Sequence, residues 1–193
     1  MANANTPFGF QQYQGNGSAP TYEQIPVTIA YNASAIYYGD PVEPDANGNV
    51  VQGDGTTGNP GIAGIFIGCK YLSVSQKRTV WSNYWPGTDV ASTQTVEGYI
   101  VNDPNAKFVV QSDATGIVAG DVNLNIGYAI GTGNTTTGIS GAYATGAAAT
   151  ATLPFRIVGL LTQPPGSPGT EAGAYNRIIV AFNNVATKSL TGI

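Results

Sequence analysis

Val96-Glu97-Gly98-Tyr99-Ile100 places Val96, Gly98 and Ile100 on one face of an extended chain and Glu97 and Tyr99 on the other. A period of two is the signature of a strand with one side buried. The same reading extends in both directions. Val27-Thr28-Ile29-Ala30-Tyr31 alternates weakly, and Ile36-Tyr37-Tyr38 runs into the turn Gly39-Asp40-Pro41. Ile62 to Leu72 is apolar and punctuated by Gly64 and Gly68. Phe108-Val109-Val110 follows the turn Asn102-Asp103-Pro104-Asn105, and Val122, Leu124 and Ile126 alternate with Asn123 and Asn125. Phe155 to Leu161 and Arg177 to Phe182 complete a set of roughly eight short strands bounded by Gly, Pro, Asn and Asp. That pattern predicts an all-β fold, a single β-barrel or β-sandwich domain.

Helix has little support. Ala142 to Ala151 is rich in Ala, but Gly146, Thr145 and Thr150, with Thr152 just beyond, weaken it, so it reads as extended chain or loop. Residues 45–60 and 162–174 read as loops. Residues 1–24 form a separate segment, an extended N-terminal arm ahead of a β-rich domain at 25–193. The arm is rich in Gly, Pro and Gln and shows no period, yet it carries Phe8, Phe10, Tyr13 and Tyr22. Such rings either fold back on the chain's own core or dock on a neighbour. The expectation is docking, with these four as partner-binding residues, because buried aromatics dominate contact energies.

Composition narrows the function. The 193 residues hold seven Lys and Arg, eleven Asp and Glu and no His. Charged residues are 9% of the chain, against about 25% in an ordinary soluble domain. A surface of Gly, Ser, Thr, Asn, Gln and Tyr suits a protein packed against copies of itself or a partner. The formal charge of −4 argues against nucleic-acid binding. No run of 18 apolar residues predicts a membrane helix, and the start of the chain lacks the regions of a signal peptide. Synthesis in a cytoplasm without secretion is the expectation.

No constellation of residues promises catalysis. Without His, no side chain shuttles protons near neutral pH at its ordinary pKa. Cys69, the sole cysteine, lies in the apolar run Gly64 to Cys69 and reads as a buried, inert thiol. The carboxylates Asp40, Asp54 and Asp103 each precede Pro or Gly in a turn. Asp45-Ala46-Asn47-Gly48-Asn49 with Asp54 resembles a calcium loop only superficially. Its Gly is at the fourth position, not the sixth, and no Glu closes it. Gly131-Thr132-Gly133 lacks the Lys of a phosphate loop. No metal, no cofactor and no enzymatic activity are expected. Trp81, Tyr84 and Trp85 allow a sugar-stacking platform, which would make the protein a carbohydrate-binding module or fibre-head adhesin. The simpler reading is that two Trp within five residues anchor a strand end in the core.

Five segments in order carry a family resemblance: Ile36 to Val42, Gly61 to Tyr71, Val101 to Gln111, Pro154 to Leu160 and Val180 to Asn184. Together they resemble the decoration, or cement, proteins of tailed-bacteriophage capsids, over about residues 25–184. The resemblance implies a β-rich protein of the virion head surface. It would bind the major capsid protein and copies of itself, as a trimer, and stabilise the head. It transfers no catalytic residue.

Overall fold

The computed structural model describes residues 3–14, 22–55 and 61–188. They form twelve strands: β1 (Gln11–Gln14), β2 (Gln24–Ile29), β3 (Pro41–Pro44), β4 (Val50–Gln52), β5 (Gly64–Ser73), β6 (Arg78–Ser82), β7 (Val96–Val101), β8 (Lys107–Gln111), β9 (Asn125–Ala129), β10 (Tyr143–Ala148), β11 (Phe155–Leu160) and β12 (Arg177–Phe182). The helical content is two single turns, at Ala119–Asp121 and Ala186–Lys188. The fold is all-β, as the alternation predicts, but it is built from two sheets of six.

One sheet runs β3-β4-β2-β7-β5-β6, and an additional β3–β5 pairing closes five of its strands into a small barrel. β6 hangs on β5 outside the ring. Closure removes the edges that a short sheet would otherwise expose. The barrel interior takes Ile29, Val42, Val50, Phe66, Cys69, Tyr71, Val96 and Ile100, joined by Ile36 and Trp85. The predicted inward face of β7 is therefore the buried one. Glu97 and Tyr99 face outward and are only half-buried.

The second sheet is antiparallel throughout, in the order β1-β8-β12-β11-β9-β10. A bridge between Ser112 and Ala144 ties the end of β8 to β10, so this sheet also curls nearly shut. Its core holds Phe108, Val110, Ile126, Phe155, Ile157, Ile178, Val180 and Phe182. Ile65 and Val101, from the outer side of the small barrel, belong to the same core and weld the two halves. Tyr128 adds a polar tie, its buried hydroxyl donating to Glu43 at 2.5 Å.

The N-terminal segment corrects the sequence reading. Residues 3–14 pack along the second sheet, and Gln11–Gln14 join it as a strand, rather than forming an arm free of it. Gln11 and Gln12 pair with Val109 and Phe108 as β1. Asn3 donates to the carbonyls of Glu171 and Ala174, and Gln111 to that of Ala4. Phe10 is buried, stacked on Phe155 at 4.4 Å and edge-on to Tyr128 at 6.4 Å. Tyr22 is buried beside Phe108, and its hydroxyl accepts the Lys107 amide at 3.0 Å. The open side of the curled sheet supplies the groove these rings need, within the same chain. A domain boundary near residue 25 is therefore absent from the packing of the described residues. Residues 15–21 of the predicted arm lie outside them.

Candidate functional site

A β-bulge makes the most distinctive surface feature. Pairing of β5 with β7 slips between Phe66 and Gly68. Phe66 points into the small barrel, Ile67 packs on the neighbouring core, and Cys69 again points inward. The extra residue resets the alternation, so Lys70 and Leu72 face out. Gly68 sits in the left-handed region, at φ 151°, and a Cβ there would lie 2.9 Å from the Ser82 carbonyl. Glycine is required on both counts. With no side chain at this point, the outer face of the barrel carries a hollow of about 420 Å³.

Strand register decides what surrounds the hollow. Trp81 on β6 is opposite Lys70 on β5, and Lys70 is opposite Glu97 on β7. Tyr99 is opposite Gly68. Trp81 and Tyr99 lean over the glycine and stack, 5.8 Å apart and within 10° of parallel. The Lys70 ammonium lies 5.1 Å from the Trp81 ring centre and 2.8 Å from the Glu97 carboxylate. The Tyr99 hydroxyl donates to the other Glu97 oxygen. Gln24, Tyr38 and Asn83 complete the wall. The Asn83 amide is held by donation to the Thr137 carbonyl at 2.7 Å.

The electrostatics follow from these contacts. The bond to Lys70 holds the Glu97 carboxyl below its usual range. Glu97 in turn raises Lys70, and the Tyr99 phenol is raised by its hydrogen bond to Glu97. All three groups therefore keep their neutral-pH forms, and the pair contributes no net charge. Burial pushes the Cys69 thiol up to about 12, and the thiol contacts only the Tyr84 carbonyl among the polar groups described. A thiol so raised is a poor nucleophile.

The structure separates the three residues of the sequence-predicted platform. Trp81 is 68% exposed. Trp85 is fully buried: it is edge-on to Tyr71 at 5.2 Å, and its indole N–H donates to the Ala33 carbonyl. The reason is local. The chain leaves β6 at Ser82, and Trp85 pairs through both its backbone groups with Ile36, which turns its side chain into the barrel. Tyr84 stacks on Tyr37 at 5.4 Å, away from Trp81. A Trp81, Tyr84 and Trp85 platform is thus not assembled. Tyr99, Tyr38, Gln24 and Asn83 take the place of the other two, and of these only Asn83 is near Trp81 in the sequence. The outward face of the Val96 to Ile100 alternation was the one available sign of Tyr99.

The predicted arm residues scatter similarly. Phe8 is half-buried under the Arg177 guanidinium, 4.9 Å from its ring centre, and Tyr13 is exposed. Phe10 and Tyr22 are core residues and unavailable to a partner in this conformation. The Asp45 loop is a turn stapled by its own carboxylate, which accepts from the amides of Asn47 and Asn49 at 2.8 Å. Among the described residues no three His, Cys, Asp or Glu side chains converge as a metal site would require. Among the described residues no helix is long and apolar enough to cross a membrane. No family model, no curated protein and no solved structure matches the chain.

Proposed function

We propose that the protein is a non-enzymatic structural component of a bacteriophage head, a decoration protein that binds the major capsid protein and stabilises the shell. The observation that carries this reading is the placement of exposed apolar side chains on both halves of a charge-poor molecule. Leu72 and Val74 stand out at the β5–β6 hairpin of the small barrel. Val118 and Val158 are exposed on the second sheet, where the turn at Ala119–Asp121 lies against β11. On the outer face of the small barrel, Lys70 and Glu97 pair with each other.

A patch on each half fits a subunit that touches two neighbours at once. Internal pressure pulls capsid subunits apart, and a two-sided β-body resists by holding many weak contacts in parallel. Simultaneous engagement makes the sum strong even where each contact is weak. The charge-poor surface lowers the desolvation cost of such contacts. Self-association as a trimer, and residence on the outer head surface, belong to the same proposal.

Purified particles are the test. The protein is expected at the copy number of the capsid lattice, in the hundreds rather than the tens. Particles stripped of it are expected to lose their genome on milder heating than intact ones. Equal heat resistance with and without the protein would overturn the stabilising role. A copy number in the tens would point to a fibre component instead.

A further inference from the structure

The hollow over Gly68 is not explained by attachment through Leu72, Val74, Val118 and Val158. We propose that it is a binding site for a neutral saccharide, seated against the indole of Trp81 and walled by Tyr99, Tyr38, Gln24 and Asn83. Four observations converge on that ligand class.

The first is the state of Trp81. Its large apolar ring is 68% exposed, yet it is not loose: Tyr99 stacks near-parallel against it and the Lys70 ammonium lies 5.1 Å from its centre. A ring held in place before binding loses little freedom when a ligand arrives. The apolar C–H face of a sugar ring matches such a surface. The second is the floor. It is bare backbone at the bulge, which leaves room at the foot of the two rings for a ligand edge to descend. The volume of about 420 Å³ falls within the range typical of small-molecule sites.

The third is the rim. The side-chain amides of Gln24 and Asn83 and the phenols of Tyr38 and Tyr99 line the hollow. Amides and phenols both donate and accept, as sugar hydroxyls do. The Tyr99 hydroxyl donates to Glu97, so toward a ligand it acts as acceptor. A purely apolar occupant would strip water from these groups without replacing the hydrogen bonds that water made. The fourth is charge. The lining itself carries none, and the adjacent Lys70 and Glu97 neutralise each other at 2.8 Å. A sialylated or sulfated glycan would find no cation in the lining, and a cationic ligand no carboxylate.

The full-length protein is tested on an array of neutral hexose and N-acetylhexosamine oligosaccharides, with sialylated and sulfated chains alongside. Glycans retained are titrated in solution, following tryptophan fluorescence. Trp85 is buried and Trp81 exposed, so acrylamide quenching reports Trp81 selectively. The expected result is retention of neutral glycans, shielding of Trp81 from acrylamide, and at least tenfold weaker binding by Trp81→Ala. Gln24→Ala, an exposed position, is expected to weaken binding without altering the melting temperature. Trp81→Ala is expected to attach to particles as the wild type does, so this site and the decoration role fail separately. Retention of charged glycans alone, equal binding by Trp81→Ala, or no neutral glycan bound at millimolar concentration would each overturn the proposal.

Discussion

Replacing Phe10 by alanine asks whether the N-terminal segment is part of the fold or a device for reaching a partner. Phe10 is 1% exposed, stacked on Phe155 at 4.4 Å and edge-on to Tyr128. Its ring shares a core with Phe108, Phe182 and Ile157. Truncation removes the transfer free energy of the ring and leaves a cavity, together costing about 3–5 kcal/mol. An independent route gives a similar figure: a buried Phe of about 150 Å² or more at roughly 25 cal/mol per Å² contributes about 4 kcal/mol. Domains are stable by about 5–15 kcal/mol, so the loss is a large fraction of the whole. For a chain of this length, each kcal/mol shifts the melting temperature by about 2–4 °C. Phe10→Ala is therefore expected to melt about 10 °C below the wild type by circular dichroism. Tyr13→Ala, two positions into the exposed edge strand, is expected to move it by at most a few degrees. If Phe10→Ala melts within 2 °C of the wild type while losing attachment to particles, the ring is not core and the segment acts on a partner.

Three further outcomes follow from the same structure. Trp85→Ala is expected to cost about 3–5 kcal/mol, while Trp81→Ala is expected to cost under about 1, which thermal unfolding of the two variants will separate. Asp40 is buried and its pKa is raised, chiefly by desolvation, despite accepting from Ser140, the Tyr37 amide and Gln52. A raised folded-state pKa means its contribution is fully present below the ordinary value of 3.8 and lost as pH rises through the raised one. Wild type is thus expected to gain stability relative to Asp40→Asn as pH falls from 7 toward 4. The lowered Asp45, Asp89 and Glu97 act oppositely but cancel in that difference. Cys69, buried and raised to about 12, is expected to resist a thiol reagent in the native protein and to react once the chain is unfolded in denaturant.

The legible strands are those whose own side chains carry the signal. β5, β7, β8, β11 and β12 have apolar residues facing a core along most of their length, and all were readable. The missed strands owe their existence to neighbours. β1 is Gln-Gln-Tyr-Gln and is a strand because β8 offers an edge. After Tyr143, β10 is built of small residues, with Gly146 at φ 70° beside a register shift, and it is extended because β9 pairs with it. β3 and β4 are short, hold two prolines and a Glu, and sit partly in a stretch that reads as loop, yet they close the barrel. The opposite error occurred at Val122 to Leu124. Asn123 adopts a left-handed conformation there, at φ 77°, so the apparent alternation bends through a turn and the strand begins only at Asn125. Closure into two curled sheets depends on pairings between residues far apart, such as Val42 with Gly64 and Ser112 with Ala144.

The same distinction explains why the candidate site was half-visible. Trp81 and Trp85 look equivalent on the chain, four residues apart, and only the end of β6 and the bridge to Ile36 send one outward and the other inward. Tyr99 was readable as an outward residue of an alternating strand, but nothing local shows that a bulge at Gly68 brings it against Trp81. A bulge changes which face every later residue of its strand presents. Without the extra residue, Lys70 would point inward and Cys69 outward, the Lys70–Glu97 pair would not form, and Trp81 would have no cation over it. The cluster is therefore a product of one irregularity in β5, and a strand of uniform register at this position would have produced an ordinary barrel wall.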